Sequence, residues 1–196
     1  MEFTLAKKQD TEQEYEQLRK RPADGMILRP YKPQDAKTII SWIKDERALR
    51  LWSSDRYGAY PVTAENMNYK YMECNGDCAE PDNFYPMTAV CEDGIVGHLI
   101  LRYTDKEKKV LRIGFVIVDD SKRGKGYGKH MIQMAIRYAF EMLQAEKVTL
   151  GVFENNPSAF YCYKAAGFLE IETDRKFVYE FESEQWPCIE MEVNRV

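Results

Sequence analysis

The residues with the most chemistry in this chain lie in one stretch, Val118-Asp119-Asp120-Ser121-Lys122-Arg123-Gly124-Lys125-Gly126-Tyr127-Gly128-Lys129. Three glycines alternate there with other residues just before a helical pattern begins. Glycine lets the backbone turn left-handed and come close to a ligand. A helix N-terminus adds outward N–H groups and partial positive charge. Arg123, Lys125 and Lys129 add full charges. Residues Arg123, Gly124, Lys125, Gly126, Tyr127, Gly128 and Lys129 are therefore the candidate cradle for a pyrophosphate.

Three phosphate motifs compete for this stretch. A P-loop needs G-x-x-x-x-G-K followed by serine or threonine, but His130 follows Lys129 and the glycines are two apart. A dinucleotide fingerprint needs G-x-G-x-x-G, and Lys129 stands where its third glycine belongs; no strand-end acid follows about 20 residues on. The third pattern, R-x-x-G-x-G, is met by Arg123, Gly126 and Gly128. A simple helix-capping glycine turn is the bland alternative. A second constellation decides between them. Asn156, Ala159, Tyr163, Gly167 and Phe168 match N-x-x-A-x-x-x-Y-x-x-x-G-F in register. The two motifs, in this order and joined by a helix and a strand, resemble the GNAT superfamily of N-acetyltransferases over about residues 26–196. The opening, ILRPYKPQDAKTIISWIKDE, and Trp186 are similar to the branch that acetylates ribosomal-protein N-termini, patterns that several antibiotic-modifying relatives share.

The resemblance implies acetyl-CoA as co-substrate and a primary amine as acceptor, either a small molecule or a protein N-terminus. It implies that a bulge splays the third strand of the central meander from the next one, and that pantetheine pairs with the backbone of Val116, Ile117 and Val118. One backbone N–H there would also stabilise the oxyanion. Tyr163 would protonate the departing thiolate, a phenol of pKa about 10 serving a thiol of about 8.5. Asn156 would bond near the pantetheine or steady its loop. Many relatives carry a glutamate on the third strand, but residues 110–115 contain no acid. Glu154, His98 and a water chain are the candidates for the base, although His98, following Gly97 in a strand, suits a satisfied core histidine at least as well. A non-catalytic acyl-CoA-binding module is the rival that this missing acid motivates.

The elements that must hold these groups follow from periodicity. Residues 26–30 read as a strand, 33–45 as a helix with Ala36, Ile39, Ile40 and Ile43 at helical spacing, and 63–73 as a helix capped by Thr63. Residues 46–62 read as irregular and aromatic; in the family layout they border the acceptor, although Trp42 and Trp52 suit a core equally. Strands are expected at 85–91, 95–103 and 109–118, joined by tight turns. A long helix over 125–143, a strand at 148–152, a helix at 157–166 ended by Gly167, and strands at 168–173 and 188–193 complete the order. The βαβ unit from 109 to 152 makes the sheet mixed, and the class α/β (α+β): a mostly antiparallel sheet flanked by helices.

The 196 residues fit one domain at 25–196, with 1–24 a polar appendage broken off by Pro22 and Gly25. An apolar share of 44% supports a packed core, and a net charge of −4 disfavours nucleic acid as a partner. No run of about 20 apolar residues offers a membrane span, and the N-terminus lacks the apolar segment of a signal peptide. The expectation is a cytoplasmic protein. Five cysteines, with no secretion signal, read as free thiols. No metal is expected, because Cys74 and Cys78 lack further ligands nearby. The acidic run Glu73, Asp77, Glu80 and Asp82 reads as solvated surface or as an attractor for a cationic amine. The oligomeric state is open, a homodimer being among the options.

Overall fold

The structure is a computed structural model that describes residues 25–174 and 176–195. The expected appendage, 1–24, lies outside the described residues. The chain begins with β1 (Ile27–Pro30), then a 3₁₀ turn at Pro33–Asp35 and a short helix α1 (Ala36–Ile40). The helix expected to reach residue 45 stops early: Trp42 and Ile43 donate to the carbonyls three residues back, which closes tight turns. A helix not expected from the pattern, α2 (Glu46–Ser53), follows at once. Asp45 starts it by accepting the Ala48 N–H at 2.7 Å. The helix α3 (Ala64–Asn68) starts as expected at Thr63, which forms a reciprocal capping box with Asn66 and runs on into a wider turn at Tyr69–Glu73.

The strands β2 (Tyr85–Cys91), β3 (Gly94–Tyr103) and β4 (Val110–Val118) form the expected meander. The helix α4 (Tyr127–Arg137) extends through a wide turn at Tyr138–Met142 and leads to β5 (Lys147–Phe153). The helix α5 (Pro157–Ala166) ends at Gly167 with φ 115°, the left-handed stop that glycine accommodates. The strands β6 (Leu169–Ile171), β7 (Val178–Phe181) and β8 (Glu184–Asn194) close the chain, β7 being an addition to the expected set. The sheet runs β1-β2-β3-β4-β5-β8-β6, with β7 paired to β8. Every described pair is antiparallel except β4 with β5. This is the expected mixed sheet flanked by helices.

The sheet separates two cores. On one face, Leu99, Leu101, Leu111 and Ile113 pack against Met131, Ile132 and Ala135 of α4. On the other, Ile100 and Ile117 pack against Ile39, Leu49, Trp52 and Met67 of α1, α2 and α3. The period-2 alternation of β3 and the helical periods of the flanking elements meet at these surfaces. No helix among the described residues is long and apolar enough to cross a membrane.

Candidate active site

The site begins with an irregularity in β4. His98 stands opposite Ile117 and Ile100 opposite Gly114, so Phe115 and Val116 together face the single residue Leu99. Two residues against one make a β-bulge. Phe115 takes φ 50°, which costs a non-glycine residue about 1–2 kcal/mol. Its carbonyl is held by the Trp52 indole N–H at 2.8 Å, and the Trp52 ring stacks on Tyr57. The parallel ladder between β4 and β5 is correspondingly short. It joins Val110, Leu111 and Arg112 to Lys147, Val148 and Thr149, and the two strands then diverge. Diverging strands expose backbone N–H and C=O groups to the gap between them, ready for an extended ligand.

A cavity of about 1030 Å³ fills this gap. Its walls include Val116, Ile117 and Val118 of β4, Leu150 and Val152 of β5, and Tyr163 of α5. One end opens at the glycine turn. Gly124 and Gly126 have φ 74° and 85°, and a Cβ at either would meet open space, so both present bare backbone to the cavity mouth. The N–H of His130 is the first to close onto α4, on Gly126 O at 3.0 Å, which leaves the N–H groups of Tyr127, Gly128 and Lys129 without helical partners. Gly128 serves packing instead: a Cβ there would sit 3.2 Å from Cys162 Sγ on α5. This cradle fits a pyrophosphate, and the bulged gap beside it fits a linear chain of amides.

The expected residues divide accordingly. Val116, Ile117, Val118, Arg123, Gly124, Gly126, Tyr127, Gly128, Lys129, Asn156 and Tyr163 all line the one cavity. Lys125 does not; its ammonium turns to Ser121 O at 3.1 Å. Lys122 lines the cavity although it was not singled out, and it pairs with Asp93 at 3.1 Å. Arg123 pairs with Asp120 at 2.7 Å across exposed surface, an arrangement that a phosphate can compete for. Asn156 caps α5 by accepting the Ala159 N–H at 3.2 Å while it also lines the cavity.

Tyr163 is buried in the α4-side core while lining the cavity, and its hydroxyl makes no hydrogen bond to another described residue. Burial pushes its phenol well above the ordinary value, so it keeps its proton at neutral pH. Neither residue named for the base reaches the cavity. His98 is wholly buried, with Nε2 at 2.9 Å from the Tyr71 hydroxyl, and burial pushes its pKa down to about 3. It is a neutral core histidine. Glu154 is exposed outside the cavity wall, its backbone N–H bonded to Pro187 O. Of the acidic run, Asp77 lines the cavity and is paired with Lys70, while Glu73, Glu80 and Asp82 do not line it.

The structure supplies a carboxylate that the strand sequence lacked. Arg112, on β4, reaches over β5 to Glu190 on β8, with paired contacts of 2.7 and 2.8 Å. Gly151 makes the crossing feasible, since a Cβ there would come within 2.6 Å of Arg112 Nη2. Glu190 thereby joins the cavity wall from the far side of β5, on the same sheet face as Arg112. Trp186, noted for its branch-like position, packs instead with Phe153 and Tyr179, under the Arg47 guanidinium at 4.8 Å. The five cysteines are unpaired, as expected. Among the described residues no three His, Cys, Asp or Glu side chains gather as a metal site.

Residues 39–168 match the family model of the acetyltransferase (GNAT) family. The chain belongs to that family. It is 34% identical over 151 residues to the spermidine N(1)-acetyltransferase of Vibrio cholerae, covering 74% of this chain and 79% of that one. It is 27% identical over 157 residues to an uncharacterised prophage-derived N-acetyltransferase of Bacillus subtilis, covering 80% and 82%. The fold superposes on the crystal structure of V. cholerae spermidine N-acetyltransferase in complex with CoA and spermine, with a TM-score of 0.70, 19% identity and coverage of 87% and 95%. This GNAT chain is thus an acetyl-CoA-dependent N-acetyltransferase. The two V. cholerae matches carry polyamine names and give no support to the ribosomal-protein branch.

Proposed function

We propose that this enzyme moves the acetyl group of acetyl-CoA to a primary amine by direct attack in a ternary complex. The observation that carries the reading is the continuity of one cavity from the glycine turn, through the bulge, to the face covered by α1, α2 and α3. The cofactor and the acceptor can then meet from opposite sides of the sheet.

In this reading Arg123, Lys129 and the backbone of Gly124 to Lys129 hold the pyrophosphate, with Lys122 and Lys125 adding positive potential. Pantetheine lies along Val116, Ile117 and Val118. A backbone N–H beside the bulge stabilises the oxyanion, a contact worth about 10²–10³ in rate. The amine lone pair attacks the thioester carbon, the C–N bond forms and the C–S bond breaks. Tyr163 gives its proton to the leaving sulfur as charge develops there. Glu190, directly or through water, takes the proton that the amine nitrogen loses. Asn156 keeps α5, and with it Tyr163, in place.

The acceptor is narrowed to primary amines. A protein N-terminus, which the chain's opening suggests, sheds its proton near pH 7.7–8.0 and needs little help from a base. A polyamine, the substrate in the relatives' names, needs more. A cytoplasmic location, where acetyl-CoA is supplied and thiols stay reduced, suits both and the five free cysteines. A homodimer is part of the same proposal, and light scattering tests it.

The test is calorimetric titration of the purified chain with acetyl-CoA, with NAD and ATP as controls, followed by thiol release with amines. Micromolar binding of acetyl-CoA alone, with amine-dependent release, supports the reading. Binding without release under any amine would make the chain an acyl-CoA-binding module, and absence of binding by folded protein would remove the cradle assignment.

A further inference from the structure

The charges at the acceptor end of the cavity are equal in number but unequally paired. Its wall there carries Asp55, Asp77 and Glu190 against Arg56, Arg102 and Arg112. All three acids are already engaged. Asp77 pairs with Lys70. Asp55 accepts from the Tyr179 hydroxyl at 2.8 Å and sits 3.3 Å from Arg50. Glu190 is taken by both terminal nitrogens of Arg112. Arg56 and Arg102 have no ion pair and no side-chain hydrogen bond among the described residues. Arg102 is half-buried on β3, beside Arg112 in the ladder. Burial lowers the pKa of its guanidinium; the Cys78 thiol acts against that, and Arg56 and Arg112 press it down further. A partly desolvated cation without a counter-charge is costly to keep, unless a ligand supplies that charge.

Position assigns the ligand. Arg102 and Ile100 alternate onto the sheet face that carries α1, α2 and α3, the side away from α4. Arg102 lies five residue steps along β3 from Gly97, the partner of Val118 at the cradle end, which is about 16 Å of strand. The pyrophosphate therefore does not reach Arg102. The bulge at Phe115 and Val116 is only three to four residues from Arg112, about 10–13 Å along β4. A small acceptor whose amine meets the thioester at the bulge would place its other end beside Arg102.

Resting on the acetyl-transfer reading above, we infer that the acceptor amine also carries an anionic group, a carboxylate or a phosphate, which Arg102 and Arg56 bind. A bare polycation would meet two uncompensated arginines there, so the spermine of the V. cholerae complex is a poor guide to this chain's acceptor.

The experiment compares matched amines in the thiol-release assay: cadaverine against lysine, ethanolamine against phosphoethanolamine, and spermidine by itself. The carboxylate and phosphate arms distinguish the two anions. At least one anionic member is expected to exceed its uncharged partner, and spermidine, about tenfold or more in kcat/KM. Arg102→Met should lower kcat/KM for that acceptor about 10–100-fold, mainly through KM, the loss typical of a hydrogen-bonded charge. Acetyl-CoA affinity should stay at the parent value. Arg102→Lys should restore part of the loss. Spermidine turned over as well as every anionic amine, or Arg102→Met weakening all acceptors equally, would overturn the inference while leaving acetyl transfer intact. Failure to bind acetyl-CoA at all would instead strike the underlying reading.

Discussion

Trp52→Phe isolates the device that opens the site. Trp52 holds the Phe115 carbonyl by a single 2.8 Å hydrogen bond while its ring stacks on Tyr57 and tilts against Phe115. Phenylalanine keeps most of the ring packing and removes the donor. Two effects then oppose the bulge. Phe115 retains its left-handed strain of about 1–2 kcal/mol, and its part-buried carbonyl loses its partner at a cost of about 1–3 kcal/mol. The native bulge was held against the same strain by that bond, so its equilibrium with a flatter β4 shifts by the bond's value, about 5–150-fold. In the proposed site only the bulged form presents Val116 to Val118 to pantetheine, and apparent affinity scales with the fraction that is competent. The Kd for acetyl-CoA should therefore rise, by up to that factor, and calorimetric titration reads it. Denaturant melts should show a stability loss of about 1–3 kcal/mol in parallel. Packing loss alone would lower stability without moving Kd. A Kd within twofold of the parent beside a clear stability loss would refute the role assigned to Trp52 and leave it a core residue.

Three further outcomes follow from the same geometry. Tyr163→Phe should lower kcat about 10²–10⁴-fold, the range of general acid catalysis, with acetyl-CoA affinity nearly unchanged; unaltered turnover would return Tyr163 to the core. Gly126→Glu should abolish acetyl-CoA binding, because the position demands φ 85° and faces the cradle with open space that an acidic side chain would fill with negative charge; Gly126→Ala, which adds strain but no charge, separates the two causes in the same titration. His98 is neutral in the fold, with its pKa lowered by burial to about 3, and protonates near pH 6.5 when unfolded. The unfolded chain binds the extra proton, so stability is full above pH 6.5 and falls as the pH drops from there toward 3. From pH 7.5 to 5.5 the loss should be about 1.4 kcal/mol, and denaturant melts of His98→Gln should show that slope removed.

The sequence was most informative where a pattern was local. The hairpin of β2 and β3 follows from alternation and a turn, and the cradle from three glycines before a helix. The cap at Asn156 and the stop at Gly167 were written in residue types that do little else. Helix α2 was missed because the aromatic residues of the stretch 46–62 suggested a loop, although Asp45 three residues before Ala48 was a readable cap. Strand β7 was missed for a different reason. Its four residues become a strand only through pairing with Glu184–Pro187, and Tyr179 and Trp186 then bury each other against Phe153. Of the two readings of His98, a base or a core histidine, the structure shows the buried position, because burial is a property of the packed sheet and is not visible in Gly97-His98-Leu99.

The position of the carboxylate shows where sequence reasoning stops. Arg112 occupies the strand on which many relatives keep a glutamate, and from the strand alone the site lacks an acid. The acid arrives from 78 residues away in sequence. Three independent facts must coincide for it to do so: β8 pairs with β5 so that Glu190 faces Gly151, Arg112 lies two rungs away on β4, and Gly151 has no side chain to block the crossing. Any one of these is unremarkable in the sequence. Together they place a carboxylate and a guanidinium side by side in a cavity wall. In the proposed mechanism the carboxylate takes the amine's proton, and its neutralisation of Arg112 leaves Arg102 as the cation proposed to meet the acceptor. Gly151→Ala is the substitution that tests this dependence. It should disrupt the Arg112–Glu190 pair and cut turnover without touching the cradle, so acetyl-CoA affinity should persist. An active Gly151→Ala enzyme with parental kcat would show that the crossing is not needed for catalysis.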